Sequence, residues 1–233
     1  MSGRAVSFPA RGEPGLLLEG RLLDGSGAGL VISHPHPLHG GDMHHPVVQS
    51  LWEAGGAAGF SSLRYHFRGV GGSGGRLTHK SPLPVADLLG AVDYLGTQSV
   101  RVVGYSFGAR TTLHALTETE GGGGIEKAVL VGLPTRLPAN PSAMSNLILG
   151  RRIAGEIYKP AIDLERLQSC PCPLLVVAGG SDPLFEPDKL RSLGIEPVVI
   201  DGVNHFFSRR IGNQAPDSAD LQRLAEVVLG FLS

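Results

Sequence analysis

The stretch that most restricts this chain is Val100 to Leu113, VRVVGYSFGARTTL. A β-branched apolar run, Val100 to Val103, stops at Gly104-Tyr105-Ser106-Phe107-Gly108, and residues of helical character follow at once. Strand, then G-x-S-x-G, then helix is the context of a nucleophile elbow. So tight a turn places the central serine on strained backbone and leaves no room for a Cβ two positions away on either side. Gly104 and Gly108 meet that demand, and the turn would hold the Ser106 hydroxyl above the sheet with the first helical amides beside it. The motif alone is common in glycine-rich chains, so an acid and a base have to be found.

The rest of the chain repeats strand and helix signals. Ala5 to Phe8 and Leu16 to Leu23 read as an antiparallel edge hairpin, and Leu30 to Ser33 as a short buried strand. Val47 to Ala58 has helical spacing closed by Gly59, Phe60 to Phe67 reads as a strand, and Pro84 to Leu95 has a clear period of 3.6. Strands at Lys127 to Gly132, Leu174 to Ala178 and Pro197 to Ile200 follow, then a helix from Ser218 to Leu232. Alternation of this kind predicts an α/β fold with a mostly parallel sheet covered on both faces. The 233 residues fit one large domain spanning 1–233. The long interruption, 134–173, carries an amphipathic piece around 143–158 and reads either as a crossover or as a small cap over a site.

Groups that do chemistry gather where the strands of such a sheet end. Asp182 follows the strand Leu174 to Ala178, and His205 lies on the loop after Ile200. A serine hydroxyl needs an imidazole to take its proton, and the imidazole needs a carboxylate to fix its tautomer. Ser106, Asp182 and His205 occur in that chain order, which singles out one hydrolase superfamily. Asp201 and Asp188 are weaker candidates for the acid.

The chain resembles the α/β-hydrolases, and within them a small, mostly bacterial group. The resemblance rests on His34-Pro35-His36-Pro37 with Gly40-Gly41 and Met43, on Phe67 to Gly74, on the elbow, on Gly180 to Asp182, and on Asn204-His205-Phe206-Phe207. It implies an α/β-hydrolase fold with Ser106 as nucleophile, His205 as base and acid, and Asp182 as its partner. It also implies an oxyanion hole made by the backbone N–H of Phe107 and one from the loop after Ser33. Register points to His36 for the second, with Leu38 and His39 as alternatives. The expected reaction is cleavage of a carboxylic ester or related acyl compound, with a small-molecule acyl substrate and no cofactor. The alternative is a scaffold that keeps the fold without the chemistry.

Other readings are weaker. His34, His36, His39, His44 and His45, with Asp42 among them, invite a metal, but interleaved prolines and glycines suit a rigid loop better. Gly69 to Gly74 fits G-x-G-x-x-G with Asp87 downstream, yet no helix opens there, so no dinucleotide is expected. The same glycines read as a loop free to move, and Arg68 reads either as a carboxylate binder or as a structural partner beneath it. A net charge of −1 gives no footprint for nucleic acid. Cys170 and Cys172 are expected to be free thiols. The first fifteen residues lack the apolar run of a signal peptide, and no stretch is long and apolar enough to span a bilayer. A cytoplasmic monomer or homodimer is the expectation.

Overall fold

The computed structural model describes residues 3–78, 80–96, 99–140, 158–210 and 215–233. The strands are β1 (Arg4–Ala10), β2 (Glu13–Leu23), β3 (Gly29–Ser33), β4 (Ser61–Tyr65), β5 (Val100–Tyr105), β6 (Ile125–Val131), β7 (Arg136–Pro138), β8 (Tyr158–Pro160), β9 (Leu174–Gly179) and β10 (Val198–Ile200). Eight of them form one sheet in the order β1-β2-β4-β3-β5-β6-β9-β10, and β7 pairs with β8 apart from it. β1, β2 and β4 pair antiparallel, and every other neighbour in the large sheet is parallel. The N-terminal edge hairpin and the parallel centre are thus as the sequence patterning predicts.

Alternation along each central strand explains the layers, because successive side chains point to opposite faces. Val31, Val102 and Ala128 pack on one face with Leu88 and Leu89 of α2 (Leu83–Leu95) and with Ala115 and Leu116 of α3 (Phe107–Glu118). Leu30, Ile32, Val103 and Val129 pack on the other. There they meet Val47, Val48, Leu51 and Trp52 of α1 (Pro46–Ala57), and Leu224, Val228 and Leu232 of the C-terminal helix Ser218–Leu232. With both faces covered, the strands carry apolar residues in unbroken runs rather than in alternation. No helix among the described residues is long and apolar enough to cross a membrane.

Two expectations change. The strand at Phe60 to Phe67 is shorter, Ser61–Tyr65, because the Phe67 N–H leaves the ladder and donates to the His34 Nε2 at 3.1 Å. The glycine loop after it is pinned rather than free. Gly74 N–H donates to the Leu17 carbonyl (2.8 Å) and Gly72 N–H to Glu19 (2.7 Å), while the Ser73 hydroxyl bridges the His66 carbonyl and the Glu19 N–H. Glycine is needed at 71 because a Cβ there would sit 2.0 Å from the His66 Nδ1. The amphipathic piece around 143–158 lies outside the described residues but for the start of β8.

Beneath this loop Arg68 is buried and clamps Asp87 of α2 through Nε (2.9 Å) and Nη2 (2.7 Å), with Glu13 at 2.7 Å on the same nitrogen. Asp87 also accepts the Arg68 N–H at 2.9 Å. Asp87 therefore neutralises Arg68, and the structural reading of that arginine is the one observed. Removing one partner of a buried pair leaves a charge stranded, whereas loss of a half-exposed partner is mild. Asp87→Ala is expected to lower stability by about 3–5 kcal/mol in urea unfolding, and Glu13→Ala by less than about 1 kcal/mol. Equal losses in the two variants would contradict this division.

Candidate active site

β5 ends at Tyr105 and α3 begins at Phe107, so Ser106 alone makes the turn, with φ 55° and ψ −104°. A serine on positive φ is strained by about 1–3 kcal/mol, and the surroundings must hold it there. They do so by close approach. A Cβ at Gly104 would lie 2.4 Å from the Gly108 carbonyl oxygen, and one at Gly108 would lie 2.5 Å from the Ser33 carbonyl oxygen. The Ser106 N–H donates to the Val131 carbonyl of β6 at 2.8 Å, which ties the turn to the next strand.

Three strand ends bring the polar side chains together. The Ser106 hydroxyl lies 2.9 Å from the His205 Nε2, and the His205 Nδ1 lies 2.7 Å from the Asp182 Oδ2. With Nδ1–H donating to the carboxylate, Nε2 presents a lone pair to the serine hydroxyl. The second carboxylate oxygen accepts the Leu184 N–H at 2.8 Å, so Asp182 is held at both oxygens. Exposure is 8% for Ser106, 6% for Asp182 and 8% for His205, low enough to strengthen the hydrogen bonds between them. The arrangement can draw the proton from the serine oxygen and hold it on an oriented imidazole. Neither weaker acid takes part: Asp188 pairs with Arg191 at 3.0 Å on the surface, and Asp201 is exposed.

The loop after β3 is rigid, and its histidines explain why. The His34 Nδ1–H donates to the Pro35 carbonyl (2.7 Å) while Nε2 accepts the Phe67 N–H, so both ring nitrogens are committed. Burial drives His34 down to about 3 and His45 down to about 4, leaving both neutral at pH 7. The His36 Nδ1 accepts the Leu38 N–H (3.2 Å), and the His45 Nδ1 accepts the Val47 N–H at the start of α1 (3.3 Å). His36 and His45 thus accept amides two residues ahead of them, and His34 accepts one from the segment after β4. Among the described residues no group of three His, Cys, Asp or Glu is placed to hold a metal ion.

The same bonds sort the backbone donors. The Leu38 N–H is spent on the His36 ring and the His39 N–H on the His36 carbonyl (3.0 Å), so neither alternative donor points outward. The ring of His36 meets that of Phe107 edge-on at 5.2 Å, which sets His36 against the first residue of α3.

Further residues hold the other two groups, and two of them, Thr135 and Arg136, carry no sequence signal. The Thr135 N–H donates to the Leu184 carbonyl (2.9 Å), and its hydroxyl accepts the Glu186 N–H (2.9 Å). Arg136 adds a bond from Nε to the Pro183 carbonyl at 2.9 Å. Together they strap down the loop that carries Asp182. On the histidine side, the Tyr105 hydroxyl donates to the His205 carbonyl (2.9 Å), and the Asn204 side-chain oxygen accepts the Phe206 N–H (2.9 Å).

No protein-family model matches the chain. A protein of Rickettsia prowazekii described as uncharacterized is 27% identical over 193 residues, 76% of this chain and 71% of its own length. Another, from Mycobacterium tuberculosis, is 28% identical over 170 residues, and the match spans only 53% of that relative. Among solved structures, an α/β serine hydrolase homologue from Coxiella burnetii superposes with a TM-score of 0.68 at 23% identity, covering 100% of this chain and 99% of that one. An esterase of Pyrococcus furiosus gives 0.75 at 18% identity, over 99% of this chain and 90% of that one. The chain has the α/β-hydrolase fold.

Thr135→Val keeps the shape and removes the acceptor of the Glu186 amide. The Glu186 N–H is half-buried, so losing its acceptor costs about 1 kcal/mol, and urea unfolding should shift by that much. Hydrogen exchange should accelerate at the Glu186 amide and Thr135→Ser should restore it; protection unchanged in the valine variant would mean that the strap carries no load.

Proposed function

We propose that this protein is a serine hydrolase that cleaves a carboxylic ester or a related acyl compound. The observation that carries the reading is the unbroken chain of short bonds from the Ser106 hydroxyl through His205 to Asp182, built on a serine with φ 55°. A fold kept only as a scaffold has no use for that strain, and relaxing it would be favourable. The structural neighbours, one a serine hydrolase homologue and one an esterase, point the same way.

In this reading the Ser106 oxygen attacks the carbonyl carbon while the His205 Nε2 takes the hydroxyl proton. Asp182 stabilises the imidazolium without accepting the proton. The Phe107 N–H at the start of α3, with the His36 N–H from the facing loop, receives the charge on the carbonyl oxygen. The imidazolium returns the proton to the leaving oxygen as the acyl bond breaks. Water, deprotonated by the same nitrogen, then releases the acid from Ser106. No cofactor enters the scheme, and the substrate is a small molecule.

A fluorophosphonate probe tests the reading, because it phosphonylates only an activated serine. Wild-type protein is expected to be labelled, Ser106→Ala to remain unlabelled, and Asp182→Asn to label orders of magnitude more slowly, because the imidazole then sits in the wrong tautomer. Absence of labelling in folded wild-type protein would overturn the proposal in favour of the scaffold.

A further inference from the structure

Rings line both sides of Ser106, and their spacing is regular. On one side Phe67 lies 5.1 Å from Phe107, Phe107 lies 5.2 Å from His36, and His36 lies 5.3 Å from His39. The first two are buried and belong to the core, whereas His36 and His39 are half-buried and keep part of each ring at the surface. On the other side the half-buried ring of Phe206 meets His205 edge-on at 5.7 Å. His39 lies within range of charge repulsion from His205, and its ring connects to that of Phe107, the residue after Ser106, through the ring of His36. Burial and that repulsion both lower the affinity of His39 for a proton. At neutral pH it is an uncharged flat surface. Leu38, 72% exposed, extends this wall outward.

The chemistry says which part of a substrate lies there. The leaving oxygen must come within hydrogen-bond reach of the His205 Nε2 to receive its proton. Whatever is attached to that oxygen must then pass the neighbours of His205, with His39 near its charge and Phe206 against its ring. Aromatic rings favour offset or edge-on partners at centroid distances of about 4.5–7 Å, and an alkyl chain gains less from the same faces.

Resting on the reading of Ser106 as the acyl-accepting nucleophile, we propose that His39 and Phe206 form a leaving-group subsite for uncharged planar rings. The preferred substrates are then esters of phenols or similar aromatic alcohols. His36 contributes its amide to the oxyanion, while the side chain three residues on, His39, reads the alcohol. The acyl group is selected elsewhere.

Phenyl acetate and trifluoroethyl acetate test this, since they share an acyl group and both release an acidic alcohol. The readout is the ratio of their kcat/KM values in wild type, His39→Ala, Phe206→Ala and His39→Phe. The ratio is expected to fall about three- to tenfold in each alanine variant, the worth of a ring pair, and to recover in His39→Phe. Breakdown of the acetyl-enzyme, which no longer carries the alcohol, is the internal control and should not follow the ratio. A ratio unchanged in both alanine variants overturns the proposal. So does a parallel loss in acetyl-enzyme breakdown, which would make these rings part of the general machinery. Fluorophosphonates lose only fluoride and need no such subsite. Labelled wild type with a flat ratio therefore sinks this subsite alone, whereas unlabelled wild type sinks the hydrolase reading and the subsite with it.

Discussion

The contact between Gly104, Gly108 and the end of β3 is the constraint on which the rest depends. Two backbones cross where a single methyl group would fall 2.4 or 2.5 Å from a carbonyl oxygen. That approach turns the chain from strand to helix in one residue and keeps Ser106 on positive φ. The same crossing draws the loop after Ser33 against the start of α3, so the side chain of His36 reaches Phe107. A larger residue at either glycine would move Ser106 and the facing loop together.

Around this crossing the polar groups are arranged so that few are left to compete. Both nitrogens of His34 and both carboxylate oxygens of Asp182 are taken by fixed partners. Such saturation costs mobility and gains orientation: a reacting group already in place needs little reorganisation when charge develops. Where β4 gives way to the glycine loop, the pair between Arg68 and Asp87 settles a different problem. It neutralises a buried cation below the glycine loop, while Glu19 and Ser73 fasten the loop from above.

The sequence was most legible where the determinant is local. Ser106, Asp182 and His205 each follow an apolar run that ends in small or turn-forming residues, so their place at strand ends could be read from a few neighbours. The parallel centre followed from runs such as Leu174 to Ala178, apolar on both faces. What was hidden depends on distant partners. Thr135 holds the acid loop across about fifty residues of chain, and an isolated threonine carries no pattern. The early end of β4 comes from a side chain just past the end of β3, His34 capturing the Phe67 amide. The glycines at 71 and 72 were read as freedom, whereas they make room for His66 and Glu19. The histidines at 34–45 invite a metal by their number, yet the prolines and glycines among them already speak for a rigid loop; which backbone amides His34, His36 and His45 accept is what only the structure reveals.

The central claim is that an acyl group passes through the Ser106 oxygen. The direct measurement is mass spectrometry of the protein quenched in acid during turnover of an activated acetate ester, followed by digestion. The account predicts one added acetyl group, found on the peptide that contains Ser106 and disappearing as the ester is exhausted. Ester hydrolysis without such an adduct, or an adduct confined to another residue, would contradict it.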